Sequence, residues 1–449
     1  MAQIPAPRAA LAALVIAVVV TGVIAARIAS GSCQRAGSRC AAGRVIRWSQ
    51  PLPGSWVAQN GADGTMPVQG EAYVAAGGGV AVIGFGTTVI GYDAATGVRR
   101  WTAMLSGVPA GTAIVSVRAW RGVIAVGVAA TGVSGAGAAG AGVAGAGVAG
   151  VVGGRAGGAG GAARQEIVLG AVTGKQIRAY PAALSGGAAW ASRRRTVIVG
   201  GEAVASYANA TGRAIWRDPT GPAEQAWRVA GRKLYVTVSA RGEMGTAPVT
   251  AVRQIDLRTG SERLIQRPHG SFDGTLTGVI DGVLIFSGSS GLSSYSVATG
   301  HLIARRPEAV LEGTDPAQRV LYADVAGVLT GIDPVTLQDE AVEHGVAMRS
   351  GVYGVRADVA LGLDPGRSGA AWGYSIAKRR IIWTARPLPW PHYFADPSGL
   401  GGSLDQETGT ALLVTCVATG QRVQGTLGGD GQACLRPRLA AIGPLGPES

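Results

Sequence analysis

A short pattern returns eight times along this chain, and that return restricts the fold more than any other feature. The copies occupy 88–101, 166–180, 203–216, 252–265, 292–304, 328–342, 371–383 and 412–425. Their turn glycines are Gly97, Gly174, Gly212, Gly260, Gly300 and Gly420, with Leu337 and Lys378 in that place in two degenerate copies. Successive intervals are 77, 38, 48, 40, 37, 41 and 42 residues. The long first interval contains a Gly/Ala-rich run at 127–163, and subtracting it restores a spacing near 40.

Each copy reads as a β-hairpin. Alternation in Val89-Ile-Gly-Tyr92 and Ala203-Val-Ala-Ser-Tyr207 has the period of two expected of a half-buried strand. An Asp/Asn-x-Thr-Gly turn follows, supplying a residue tolerant of positive φ. A second strand then follows, often ending in Trp or Tyr, as at Trp101, Tyr180, Trp216 and Trp383. Asp93, Asn209, Asp256 and Asp333 are taken to share one repeat position, which assigns them to turn capping rather than catalysis. Trp101, Trp216 and Trp383 read as packing between repeats. Upstream of each hairpin lies another apolar segment, such as Lys233-Leu-Tyr-Val-Thr-Val238.

About four strands per ~40–45 residues is the signature of a β-propeller, in which each sheet buries its faces against its neighbours. The expected fold is all-β: a β-propeller of eight four-stranded blades over 43–435, seven if a terminal copy is incomplete, with a tail at 436–449. At ~100–200 residues per domain the length alone suggests two or three domains; the repeat makes it one ring. Gly43-Arg-Val-Ile-Arg-Trp48 resembles an isolated outer strand and is a candidate clasp that closes the ring, and the tail after Cys434 is another. The Gly/Ala run lacks the large side chains that offset ordering entropy and reads as a mobile loop between two strands.

Composition excludes other classes. A hydrophobic content of 47% is too high for a disordered chain. The 73 glycines show no three-residue period, so the chain is not collagen-like. The formal charge of +13 comes mainly from scattered arginines, which reads as a solvated basic surface with no specific nucleic-acid partner.

The uncharged run Ala9 to Ala26 is 18 residues long, at the lower edge of a membrane-spanning helix. It is read as an uncleaved transmembrane signal anchor at 9–26, after a cytoplasmic N-terminus at 1–8 and before a linker at 27–42. A cleaved signal and a lipoprotein signal are the alternatives. Arg27, Arg35, Arg39, Arg44 and Arg47 follow the span and favour a cytoplasmic C-terminal side. The close cysteine pairs Cys33/Cys40 and Cys416/Cys434 favour disulfides in an oxidising compartment. The expected location is the cell membrane, single-pass, with the propeller outside the cytoplasm.

The strand, Asp-Ala-x-Thr-Gly, short strand and Trp pattern resembles the pyrroloquinoline quinone (PQQ)-like propeller repeat, most closely in Tyr92-Asp-Ala-Ala-Thr-Gly-Val-Arg-Arg-Trp101. In dehydrogenases of that family the quinone is held between a tryptophan and a disulfide of adjacent cysteines, with calcium on acidic and amide oxygens. This sequence has no adjacent cysteines and no evident calcium cage. Non-catalytic relatives implied by the resemblance include the protein-binding assembly scaffold of the BamB type.

His269, His301, His344 and His392 lack zinc spacing, and no nucleophile elbow or phosphate loop occurs. Trp390, His392, Tyr393 and Phe394 form an aromatic departure from the repeat and a candidate exposed binding loop. The resulting reading is a non-enzymatic, membrane-anchored scaffold for a protein or envelope component, with no cofactor or metal. Its alternatives are a PQQ-dependent dehydrogenase or other envelope-acting enzyme, and a ligand-sensing ectodomain.

Overall fold

The structure is a computed structural model that describes residues 46–53, 56–59, 72–130, 164–182, 187–200, 203–219, 224–239, 248–315, 319–326, 328–347, 352–356, 359–364, 370–375, 380–385, 402–405, 410–416, 419–424, 430–434 and 436–442. Every regular element among them is a β-strand. No helix long and apolar enough to cross a membrane occurs among the described residues. The expected span at 9–26 and the aromatic loop at 390–394 lie outside them; of the Gly/Ala run expected at 127–163, residues 127–130 complete the buried strand Val123–Ala130 and are not loop, while 131–163 lie outside.

The strands form four-stranded antiparallel sheets, eight among the described residues, with one further three-stranded sheet. Seven are continuous in the chain: sheet 1 spans 72–104, sheet 2 112–182, sheet 3 187–219, sheet 4 224–266, sheet 5 275–306, sheet 6 309–347 and sheet 7 352–385. In each, the four strands pair in chain order. Second and third strands are buried along nearly their whole length, as in Val80–Phe85 and Val123–Ala130. Both of their faces meet neighbouring sheets, which is why they read as apolar runs rather than alternating patterns. The fourth strand is largely exposed, as in Arg99–Met104, and the first is half-buried, as in Thr112–Trp120.

Apolar clusters lie between successive sheets. Val82, Val89 and Trp101 of sheet 1 pack with Ile124, Val126 and Ile167 of sheet 2. Val197 and Val204 of sheet 3 pack with Leu234 and Ile255 of sheet 4. Each such aliphatic side chain contributes roughly 1.5–3 kcal/mol on full burial. No single sheet could obtain this alone, so the repeats stabilise one another.

The closing sheet joins the two ends of the chain. Its order is Ile46–Pro51, Pro437–Ile442, Thr410–Cys416, Gly402–Asp405. Ile46 lies opposite Ile442 and Pro51 opposite Arg438. The Arg438 guanidinium donates to Ser49 Oγ and to the Ser49 carbonyl, both at 2.9 Å. Both candidate clasps therefore enter the same sheet. The sheet draws on residues up to Ile442 and not only up to 435, because Pro437–Ile442, between Ile46–Pro51 and Thr410–Cys416, comes from the chain after Cys434. Trp48, Leu412 and Leu439 then pack on Ile83, Ile90 and Tyr92 of sheet 1. An all-β series of four-stranded antiparallel sheets, shut by strands from both ends, is consistent with a β-propeller.

The eighth copy departs from the expected hairpin. Thr410–Cys416 pairs with Pro437–Ile442, while Thr419–Gln424 pairs with Asp430–Cys434 and the latter with Trp56–Gln59. Gly420 lies within a strand and not in a turn. The register is continuous across the break, with Cys416 opposite Pro437 and Thr419 opposite Cys434. The closing hairpin is thus an elongated ribbon. Cys416 and Cys434 stand three register positions apart, about 10 Å at ~3.3 Å per residue, whereas a disulfide joins Cα atoms about 4.4–6.8 Å apart. That register does not suit the expected local bridge between them; the side chains of Cys416 and Cys434, and Cys33 and Cys40 altogether, lie outside what the structure describes.

Candidate functional site

The repeat residues build joints between sheets. Asp93 Oδ1 accepts hydrogen bonds from the backbone N–H of Ala95 and Thr96 and from Thr96 Oγ1, at 2.8–3.0 Å. Asp256 and Asp333 repeat this cap with Thr259 and Thr336. Burial would raise the Asp93 and Asp333 carboxyls, but the hydrogen bonds at each turn outweigh it and hold both below the usual value. Lys233, followed by Thr259, lowers Asp256.

Asn209 does not belong to this set. Gly212 N–H bonds to the Ala208 carbonyl as Gly97 N–H bonds to the Asp93 carbonyl, so Asn209 sits one residue later. Its buried side chain accepts from Tyr180 Oη and Thr196 Oγ1 at 2.8 Å and donates to the Ser192 carbonyl. It ties sheet 3 to sheet 2 instead of capping the turn.

Gly97, Gly174, Gly212, Gly260 and Gly300 all have positive φ, and Leu337 keeps that conformation without being glycine. Positive φ is only part of the reason for Gly97. A Cβ there would lie 2.5 Å from ring atoms of Trp48, whose Nε1 donates to the Ala94 carbonyl at 2.9 Å. Trp101 packs on Gly174 in the same way and donates to the Ala171 carbonyl at 2.8 Å. Trp216 packs on Gly260 without that hydrogen bond. Trp383 lies opposite Gly373 as Trp101 lies opposite Gly91.

Arginines take over the donor role elsewhere. Arg178 donates to the Ala210 carbonyl, Arg263 to the Val297 carbonyl and Arg306 to the Leu337 carbonyl, each reaching the turn of the next sheet. Part of the basic excess is therefore structural strapping and not a merely solvated surface.

A cationic cluster that sequence reasoning missed lies on the inner strands. Arg118, on the first strand of sheet 2, donates from Nη1 to the Ala188 carbonyl of sheet 3 at 2.8 Å. Its Cζ lies 4.9 Å from the ring centroid of Trp227 in sheet 4. Arg228 donates from Nε to the Thr277 carbonyl of sheet 5 at 2.9 Å. Arg164 is bound to Glu166 Oε1 at 2.9 Å and to Ser116 Oγ at 2.8 Å. Burial, only partly offset by Glu166, pushes Arg118 down to about 10. Burial with Arg118 alongside pushes Arg228 to about 10 as well. The only hint in the sequence was a charged residue inside apolar strands, as in Ile114-Val-Ser-Val-Arg-Ala-Trp120.

The two ends of the sheets differ. One end carries the first-to-second and third-to-fourth strand connections, the longest being the six residues at 333–338. The other carries the second-to-third connections and the links between sheets, including 105–111, 131–163, 240–248, 267–274 and 386–401. Every connection longer than six residues between successive strands of sheets 1 to 7 and the closing sheet opens on that second end, as does the ribbon of the closing sheet. The segment with Trp390, His392, Tyr393 and Phe394 joins strand ends there, though those residues lie outside the described ones.

Among the described residues no three His, Cys, Asp or Glu side chains gather as metal ligands. The sequence has no adjacent cysteines, so the thiol pair by which dehydrogenases of the resembled family hold the quinone is not found.

No protein-family model and no curated protein sequence matches the chain. Among solved structures it is similar to the computationally designed Ika8 protein, at 12% identity over 87% of this chain and 100% of that one, with a TM-score of 0.50. It is also similar to quinohemoprotein alcohol dehydrogenase from Comamonas testosteroni, at 12% identity over 90% and 77% of the two chains, TM-score 0.47. BamB from Moraxella catarrhalis follows at 14% identity over 68% and 81%, TM-score 0.38. At such identities the likeness is one of fold.

Proposed function

We propose that this chain is a membrane-anchored, extracytoplasmic propeller of eight blades that acts as a non-catalytic scaffold, holding a protein or other envelope component. The observation that carries this reading is the asymmetry of the two ends. One end is closed by short capped turns, and the other gathers every long connection. Rigid frames with function on their loops use that arrangement. The apolar run at 9–26 supports the anchor, and the PQQ-like repeat supports the scaffold class.

The test is crosslinking of the full chain in its native membrane, with a variant in which 386–401 becomes a short Gly-Ser linker. A partner captured by the wild type and lost from the equally stable variant supports the scaffold. A purified full chain that absorbs as a bound quinone and oxidises alcohols until calcium is chelated would refute the non-catalytic reading. A membrane-impermeant maleimide added to intact and then to reduced cells reports which side of the membrane carries the cysteines.

A further inference from the structure

We propose that Asp218, Glu262 and Arg253 form a pH-sensitive tie between sheets 3 and 4, in which two carboxyl groups share one proton and the tie loosens when that proton is lost. The device is independent of what the loop-bearing end holds, so it can fail without the scaffold reading failing.

The geometry brings both carboxyls to one nitrogen. Arg253, on Val249–Asp256 of sheet 4, is buried and donates from Nε to Glu262 Oε1 at 2.8 Å and from Nη2 to Glu262 Oε2 at 3.1 Å. Asp218, near the end of the last strand of sheet 3, meets the same Nη2 with Oδ2 as an ion pair. That carboxylate oxygen is buried and receives no hydrogen bond. Two carboxylates thus converge on one guanidinium nitrogen. A proton on one of them removes their mutual repulsion and supplies an O–H donor to the other.

Among the described residues, the charges acting on Asp218 are those of Arg253 and Glu262, and those acting on Glu262 are Arg253 and Asp218. Arg217, beside Asp218 in the strand, is exposed and points to the other face. Burial, helped by the Glu262 carboxylate, outweighs Arg253 and holds Asp218 above its ordinary value. The hydrogen bonds from Arg253 hold Glu262 below its own. Opposite shifts in two touching carboxyls accord with one proton held between two sites, here on Asp218.

This joint lacks a tie found elsewhere. Trp216 seats on Gly260 with Nε1 buried and unbonded, whereas Trp48 and Trp101 donate to carbonyls of the next sheet. Arg253 also donates from Nη1 to the carbonyl of Pro219, the last residue of sheet 3 before the link at 220–223. The raised Asp218 stabilises the joint at low pH and loses that effect as pH rises through its folded-state value. The lowered Glu262 stabilises it at higher pH and loses that effect as pH falls through its folded-state value. Between those two values the pair holds one proton and the joint is tightest.

The proton and the joint are read separately, in the purified full chain. Infrared difference spectra of wild type against Asp218→Asn, titrated from about pH 7 to about pH 3, isolate the carboxylic-acid band of Asp218. Its midpoint is expected above the ordinary value of 3.8. In Glu262→Gln, measured against the double variant, that midpoint should fall. A wild-type midpoint at or below the ordinary value, or one unmoved by Glu262→Gln, would overturn the shared proton.

Hydrogen exchange of Ala214–Pro219 and Glu262–Gln266, corrected for its intrinsic pH dependence, reads the joint. From about pH 7 to about pH 4.5, wild-type exchange should slow at least about twofold relative to Asp218→Asn. An equal pH response in the two would overturn the switch. Should Asp218→Asn fail to fold, Glu262→Gln replaces it in the exchange experiment with the same two outcomes.

Discussion

Replacing Gly97 by Ala adds one methyl group at the joint that closes the ring. Two costs follow, and the structure allows them to be separated. The residue has φ of +72°, where an L-residue pays about 1–2 kcal/mol. The stiffer unfolded chain returns about 0.4–1 kcal/mol. The new Cβ would also stand 2.5 Å from the ring of Trp48, which is buried against sheet 1 and held by its bond to the Ala94 carbonyl. Overpacking of this kind costs about 1–3 kcal/mol. Gly86 is the matched control, with φ of +54° and no atom within 4 Å of an added Cβ. Gly86→Ala should therefore cost about 1 kcal/mol, from backbone strain alone, while Gly97→Ala should cost about 2–4 kcal/mol. The assay is urea unfolding followed by circular dichroism, comparing midpoints at unchanged slope. A Trp48→Ala background completes the cycle, and there the excess cost of Gly97→Ala over Gly86→Ala should vanish. Equal costs for the two glycines, or an excess that survives Trp48→Ala, would refute the claim that this glycine exists to seat the tryptophan.

Four further outcomes are expected. Asp93→Ala should lose about 1 kcal/mol with its turn cap. Because the Asp93, Asp333 and Glu262 carboxyls are held below their ordinary values, their stabilisation is present above about pH 4–5 and is lost as pH falls through the folded-state pKa values; urea midpoints at pH 7, 4 and 3 check this, and a flat profile would contradict it. Replacing 131–163 by a short turn should shift stability by no more than about 2 kcal/mol, since loop length enters only logarithmically, and a larger loss in thermal denaturation would place the run in the core. Non-reducing peptide mapping should find no Cys416–Cys434 bridge, because the register sets the two residues three positions apart.

The legibility of the fold followed the range of the interactions involved. Asp93, Thr96 and Gly97 interact within five residues, so their turn is visible as a string. Asn209 was misplaced by one position although the string carries the offset: Asp93, Asp256 and Asp333 stand four residues before Gly97, Gly260 and Leu337, whereas Asn209 stands three before Gly212, and the backbone bond from Gly212 to Ala208 shows the same. The eighth hairpin was misread for a different reason. Thr419-Gly420 has turn composition, yet pairing with Asp430–Cys434 holds Thr419–Gln424 extended. Arg118, Trp227 and Arg228 were missed altogether, since nothing in their spacing relates position 118 to positions 227 and 228.

By itself, the sequence determined the strand-and-turn unit, its recurrence and the β class, because these rest on hydrogen bonds and side-chain alternation between neighbours in the chain. Only the tertiary structure decided which tryptophan seats on which glycine, how the two chain ends share one sheet, and that guanidiniums converge on the inner strands. Those outcomes depend on sheets packing face to face, and packing joins residues by proximity in space, which the order of residues does not encode.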